Sequence, residues 1–80
     1  MESTVNAERR KNLQQALTLL STACGIVEDI HAQEEELYEN LPDGMKAGDQ
    51  GTKMEESVAS LEGARDKIEE AASEIEAAME

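Results

Sequence analysis

Aromatic residues are almost absent from this chain. Tyr38 is the only one among 80 residues, with no Phe and no Trp. Large rings supply much of the burial in a small core, so aliphatic side chains must do the packing. A chain of this length is one domain and marginally stable alone. Self-association is the usual remedy for a small core without staples. A single cysteine, Cys24, excludes an intrachain disulfide and fits a reducing compartment. With one histidine, His31, and no second cysteine, there is no constellation for nucleophilic or acid–base catalysis. Gly44, Gly48 and Gly51 lead into no phosphate-cradling pattern. The residues therefore predict a protein that is not an enzyme, with no catalytic residues, no cofactor and no metal.

Positive charge is also scarce, with seven Lys and Arg against 19 Asp and Glu, for a net charge of −12. Such a surface repels nucleic acid and anionic membranes, which excludes both as direct partners. The basic residues are clustered: Arg9, Arg10 and Lys11 make residues 1–12 net positive, whereas residues 13–41 hold six acids and no Lys or Arg. Long apolar runs are missing too. The uncharged stretch Ala16 to Val27 is shorter than the ~20 residues needed to span a bilayer. Preceded by Arg9-Arg10-Lys11, and with Ala23-Cys24-Gly25 inside it, that stretch imitates a lipoprotein signal. Gln14 and Gln15 just before it and Thr18 within it dilute the apolar region, and Ser21 stands where a lipobox has Leu. A cytoplasmic chain is the expectation.

What is present is periodicity. Leu13, Leu17, Leu20, Cys24, Val27, His31 and Tyr38 fall at helical spacing, as do Met54, Val58, Leu61, Arg65, Ile68, Ala72, Ile75 and Met79. Pro42, the only proline, ends the first stripe, because the residue before a proline avoids helical geometry. Asp43-Gly44 is a turn signal, with Gly48 and Gly51 keeping the connection pliable. Thr52 and Glu55 have capping-box spacing. The spacing thus predicts an all-α fold: helix 1 over about 4–39, starting between Ser3 and Asn6, a turn over 40–51, and helix 2 over about 52–79. Folding this antiparallel two-helix hairpin about residue 46 or 47 brings Tyr38 to Met54, Val27 to Arg65 or Asp66, and Leu20 to Ala72. Ala16, Ala23 and Ile30 widen the first stripe beyond a two-stranded seam. Two helices alone cannot cover both stripes, so the hairpin is expected to self-associate, as a four-helix dimer. Its oligomer core would be Leu13, Leu17, Leu20, Val27, Ile30, Leu61, Ile68 and Ile75. Gly25 and Gly63 cost roughly 1 kcal/mol each inside helices, and close approach of Gly63 to Ile30 would offset part of that.

Several polar groups have two readings. Arg9, Arg10 and Lys11 lie beside the end of helix 2, where Glu76 and Glu80 would neutralise them. Alternatively Arg9, Arg10 and Lys46 contact phosphates between subunits. Glu28 and His31 have the Glu-x-x-His spacing of carboxylate-bridged metal bundles. Yet Glu28 falls on the flank of helix 1, and the inward positions of helix 2 are Leu61 and Ile68. The alternative places His31 beside Glu62 or Glu34, and Glu28 against Arg65. Arg65 covers apolar surface with its stem while its head pairs with Glu28, Glu62 or Glu69. Glu62, Asp66, Glu69, Glu76 and Glu80 form an acidic ridge, read either as a solvated face or as DNA mimicry. The acids of one hairpin are spaced about one per 3 Å of axis, sparser than the ~1.7 Å of duplex DNA; a dimer approaches the DNA value.

The stretch from Glu34-Glu35-Glu36-Leu37-Tyr38-Glu39-Asn40-Leu41-Pro42-Asp43-Gly44-Met45 to Lys53-Met54-Glu55-Glu56, followed by an acidic Leu/Ile/Ala helix, resembles a group of small acidic proteins encoded by phages and prophages of Gram-positive bacteria. Their pattern is an acidic run, Tyr, Asn-x-Pro, a short polar turn and a Glu-rich helix. Here Gly44-Met45-Lys46 replaces a more helix-like stretch. The resemblance implies an accessory phage function in the host cytoplasm: countering antiviral defence by binding a host effector or capturing its nucleotide signal. It points to Tyr38 and Asn40 as binding residues. The alternative is a structural or adaptor module, in which Tyr38 packs over Met54 and Asn40 caps helix 1.

Overall fold

A computed structural model describes residues 4–79, and among these the chain is entirely helical apart from residues 40–42 and 47–48. Helix α1 spans Thr4–Glu39, α2 spans Asp43–Lys46 and α3 spans Asp49–Met79. Ser3 and Glu80 lie outside the described residues. The Cα trace is a rod of 67 × 15 × 13 Å. His31 meets Glu62 and Tyr38 meets Glu55, so seven residues forward along α1 correspond to seven residues backward along α3. No described helix is long and apolar enough to cross a membrane.

The connection departs from the turn expected over 40–51. Pro42 does stop α1: the last bonds are Asn40 N–H to Glu36 C=O (3.1 Å) and a tightened Leu41 N–H to Tyr38 C=O (3.1 Å). The Pro42 carbonyl then accepts from Met45 (2.9 Å) and Lys46 (3.0 Å). That makes Asp43-Gly44 the first turn of α2, and no described residue has positive φ. Asp43 at the start and Lys46 at the end of α2 both complement its dipole. Helix α3 starts at Asp49, three residues before the Thr52 start that the capping-box spacing predicts. The Thr52 hydroxyl instead donates to the Gly48 carbonyl (3.2 Å), inside the helix.

Gly51 is the one buried residue among residues 6–79. It allows the first turn of α3 to lie against the backbone of Lys46: a Cβ there would overlap the Lys46 carbonyl oxygen and stand 2.6 Å from its Cα. Gly51 is therefore a close-packing residue, not a source of pliability. Gly25 and Gly63 differ. A Cβ at either meets nothing within 4 Å, so close approach to Ile30 does not account for Gly63.

Along the rod, Leu13, Leu17, Leu20, Val27, Leu61, Ile68 and Ile75 are half-buried on the sides where α1 and α3 meet. No apolar side chain among the described residues is fully buried. Ile30, grouped with these by sequence, is 42% exposed and lies outside the seam. These placements predict opposite outcomes for glycine substitutions measured by urea unfolding at one protein concentration. Gly51→Ala loses about 2 kcal/mol, from overpacking against backbone. Gly25→Ala and Gly63→Ala each gain about 1 kcal/mol through helix propensity.

Candidate functional site: an acidic face and an apolar face

The two long helices divide the surface of the rod. At about 100° per residue, Leu19, Ile26, Ile30 and Leu37 point within about 40° of one another on α1. They are exposed by 64%, 55%, 42% and 57%. This second stripe is turned roughly 110° from the seam. On α3, Ser57, Ala64, Ala71 and Ala78 recur every seven residues on one flank of the seam, and Glu55, Glu62, Glu69 and Glu76 on the other. Both helices wind right-handed and run in opposite senses, so the small residues of α3 share a face with the Leu/Ile stripe of α1. The acids fall on the opposite face. Two surface depressions lie along the side that carries the Glu55–Glu76 row. One, of about 370 Å³, brings Glu35 and Glu39 together with Glu55 and Glu62 beside Tyr38. The other groups Gln14, Leu17 and Ser21 with Ala72 and Glu76.

The acidic face is stitched by side chains at the seam. Nδ1 of His31 lies 3.2 Å from Glu35 Oε1, and Nε2 lies 3.1 Å from Glu62 Oε1. Only the protonated ring donates to both carboxylates; a neutral ring donates to one. The Tyr38 hydroxyl donates to Glu55 Oε1 at 3.1 Å. That bond, then partial burial, then the charge of Glu55 raise the phenol above its ordinary pKa. The Lys46 ammonium sits 5.5 Å from the Tyr38 ring centroid, within cation–π reach. Arg65 turns to Asp66 (3.3 Å) and, at 3.9 Å, to Glu69 on its own helix. Glu28 accepts a hydrogen bond from the Cys24 thiol at 3.5 Å and is not paired with Arg65. Partial burial, then the hydrogen bond and charge of Glu28, raise the Cys24 thiol, which opposes thiolate reactivity.

The residues singled out by sequence do not converge. Tyr38 and Lys46 are together at the α2 end of the rod. Asn40 is exposed and groups with Gln33, Glu36 and Leu37 around another depression, on the apolar side. Arg9 and Arg10 are exposed near the other end of α1, about 45 Å of helix from Tyr38. Neither arginine forms an ion pair among the described residues. Glu28 and His31 face different partners, and no group of three metal-ligating side chains is found among the described residues. The residues that sequence grouping missed are Leu19, Ile26 and Leu37. Their seven-, four-, seven-residue spacing with Ile30 was the available signal. Compared with known proteins, the chain matches no protein family, no curated protein and no solved structure.

Tyr38 is the only tyrosine and there is no Trp, so its ionisation is directly readable by ultraviolet absorbance. The predicted midpoint lies above the ordinary value of about 10. Since the folded-state pKa is raised, the Tyr38–Glu55 contact is intact below the ordinary value and is lost as pH rises through the raised one. Glu55→Gln moves the midpoint down toward the ordinary value; an unchanged midpoint contradicts the assigned cause.

Proposed function

We propose that the chain is a non-enzymatic binding protein: a helical hairpin that self-associates into a four-helix bundle. We further propose that it serves as a phage accessory protein countering host antiviral defence in the bacterial cytoplasm. The observation that carries the binding role is the division of the surface. One face presents four large aliphatic side chains in a line, and the other presents a row of carboxylates. Exposed apolar area of this kind marks an interaction surface, and helix packing is the form it takes on a rod.

The same division favours a host effector protein over a nucleotide signal as the target. The cations that would meet phosphates, Arg9 and Arg10 at one end and Lys46 at the other, are separated by most of α1, and Lys46 is engaged over Tyr38. The acidic face, with Glu35, Glu39, Glu55 and Glu62 around Tyr38, instead suits a basic protein surface, which charge complementarity would steer toward it. The phage role rests on the Tyr38–Asn40–Pro42 pattern and the acidic helix that follows it.

Phage plating tests the role. Expressed in bacteria carrying a panel of defence systems, the chain is expected to restore plating against at least one. Glu55→Lys combined with Glu62→Lys abolishes that rescue while the protein stays helical by circular dichroism. No rescue across the panel contradicts the proposal.

A further inference from the structure

The self-association proposed above leaves open which surfaces meet, and the faces of the rod are informative on this point. The geometry points to a twofold dimer whose axis runs along the rod, with the Leu19–Ile26–Ile30–Leu37 stripe of each copy laid over the Ser57–Ala64–Ala71–Ala78 row of the other. This inference rests on the self-association reading and specifies its interface.

Three observations select a second copy as the occupant. The first is steric. One chain carries both a row of large side chains and a row of small ones on the same face, and a twofold axis along the rod sets large on small twice. His31 is level with Glu62 and Tyr38 with Glu55. On that register Ile30 lies level with Gly63, so it meets Ala64 of the second copy, and Leu37 meets Ser57 of the second copy. A twofold axis across the rod would instead place large on large and small on small, and the two pairs of helices could not then share one spacing.

The second observation is charge. Carboxylates dominate the other face, so like-charge repulsion opposes its self-contact. The apolar face is flanked by Asp29 and Glu36 along the outer edge of α1, and by Lys53, Lys67 and Glu74 along the α3 side, with Glu56 and Glu70 further out. The proposed axis brings Lys67 and Lys53 of one copy within about a turn of the levels of Asp29 and Glu36 of the other. The third observation is area. About 30 Å of two helices, some 20 Å wide, buries about 1,200 Å² over both copies, within the range of a specific interface.

The full chain, sedimented to equilibrium at high micromolar concentration, is expected to show twice its 8.7 kDa mass. Ile26→Glu is expected to reduce it to the single-chain mass. Position-specific oxidation reads the geometry. In a Cys24→Ser background, chains with Ile30→Cys are mixed with chains carrying Ala64→Cys. The expected product is the mixed disulfide dimer, exceeding either self-linked dimer several-fold. A single-chain mass for the unsubstituted protein overturns both this interface and the self-association reading. A dimer in which Ile30→Cys chains link only to one another, or in which no mixed product forms, overturns this interface alone.

Discussion

Two helices meeting along one line cannot enclose a core, and that constraint governs the rest of this structure. Each residue of the α1–α3 seam has a neighbour on one side and solvent on another. Leu20, Val27, Leu61 and Ile68 are accordingly only half-buried. No aromatic ring is available to widen the contact, since the one tyrosine is held at the edge by Glu55. With half the usual apolar transfer energy per side chain, the two helices alone have little to set against the entropy of their ordering. In the proposed dimer, covering the second stripe supplies what the seam lacks.

The polar groups follow the same geometry. His31 occupies a seam position where an aliphatic residue would otherwise sit, and it reaches carboxylates on both helices. Arg65, also at a seam position, is half-buried and turns its head to Asp66 and Glu69 on its own helix. These are partly exposed pairs, whose contribution is modest and falls with salt. Their consequence is local: they mark where along the rod the two helices are level, although Glu55, Glu62 and Glu69 recur every seven residues, so a slip of one heptad would bring His31 to another carboxylate. At the α2 end, Gly51 performs the corresponding task through backbone contact, holding the first turn of α3 against Lys46.

Much of this was legible in the residues and some was not. Helical character follows from the seven-residue spacing, and folding the stripes about residue 46 or 47 sets His31 level with Glu62. The connection was less legible. Asp43-Gly44 has the chemistry of a turn, but Pro42, with its fixed φ and free carbonyl, starts a helical turn there instead. The Thr52 hydroxyl can accept from the N–H groups ahead, as a capping box requires, or donate to a carbonyl one turn back, and it donates to Gly48. Glu28 was paired with Arg65 on helical-wheel grounds, yet each finds a partner on its own helix. The second apolar stripe was hidden by the first: once Leu17, Leu20 and Val27 are assigned to a heptad, Leu19 and Ile26 read as surface. Ala23 and Ile30, which widen the first stripe, were the sign that a second face exists. What a surface of carboxylates binds is not encoded in spacing at all, because any solvated acidic face has the same pattern.

The central claim, that the rod is completed by a second copy of itself, is tested most directly by the concentration dependence of its thermal unfolding. A folded state that requires association is stabilised by mass action. The predicted result is a Tm that rises steadily with protein concentration over a hundredfold range, with loss of helix and loss of the dimer in one transition. A Tm independent of concentration over that range, with a single-chain mass below the transition, would contradict it.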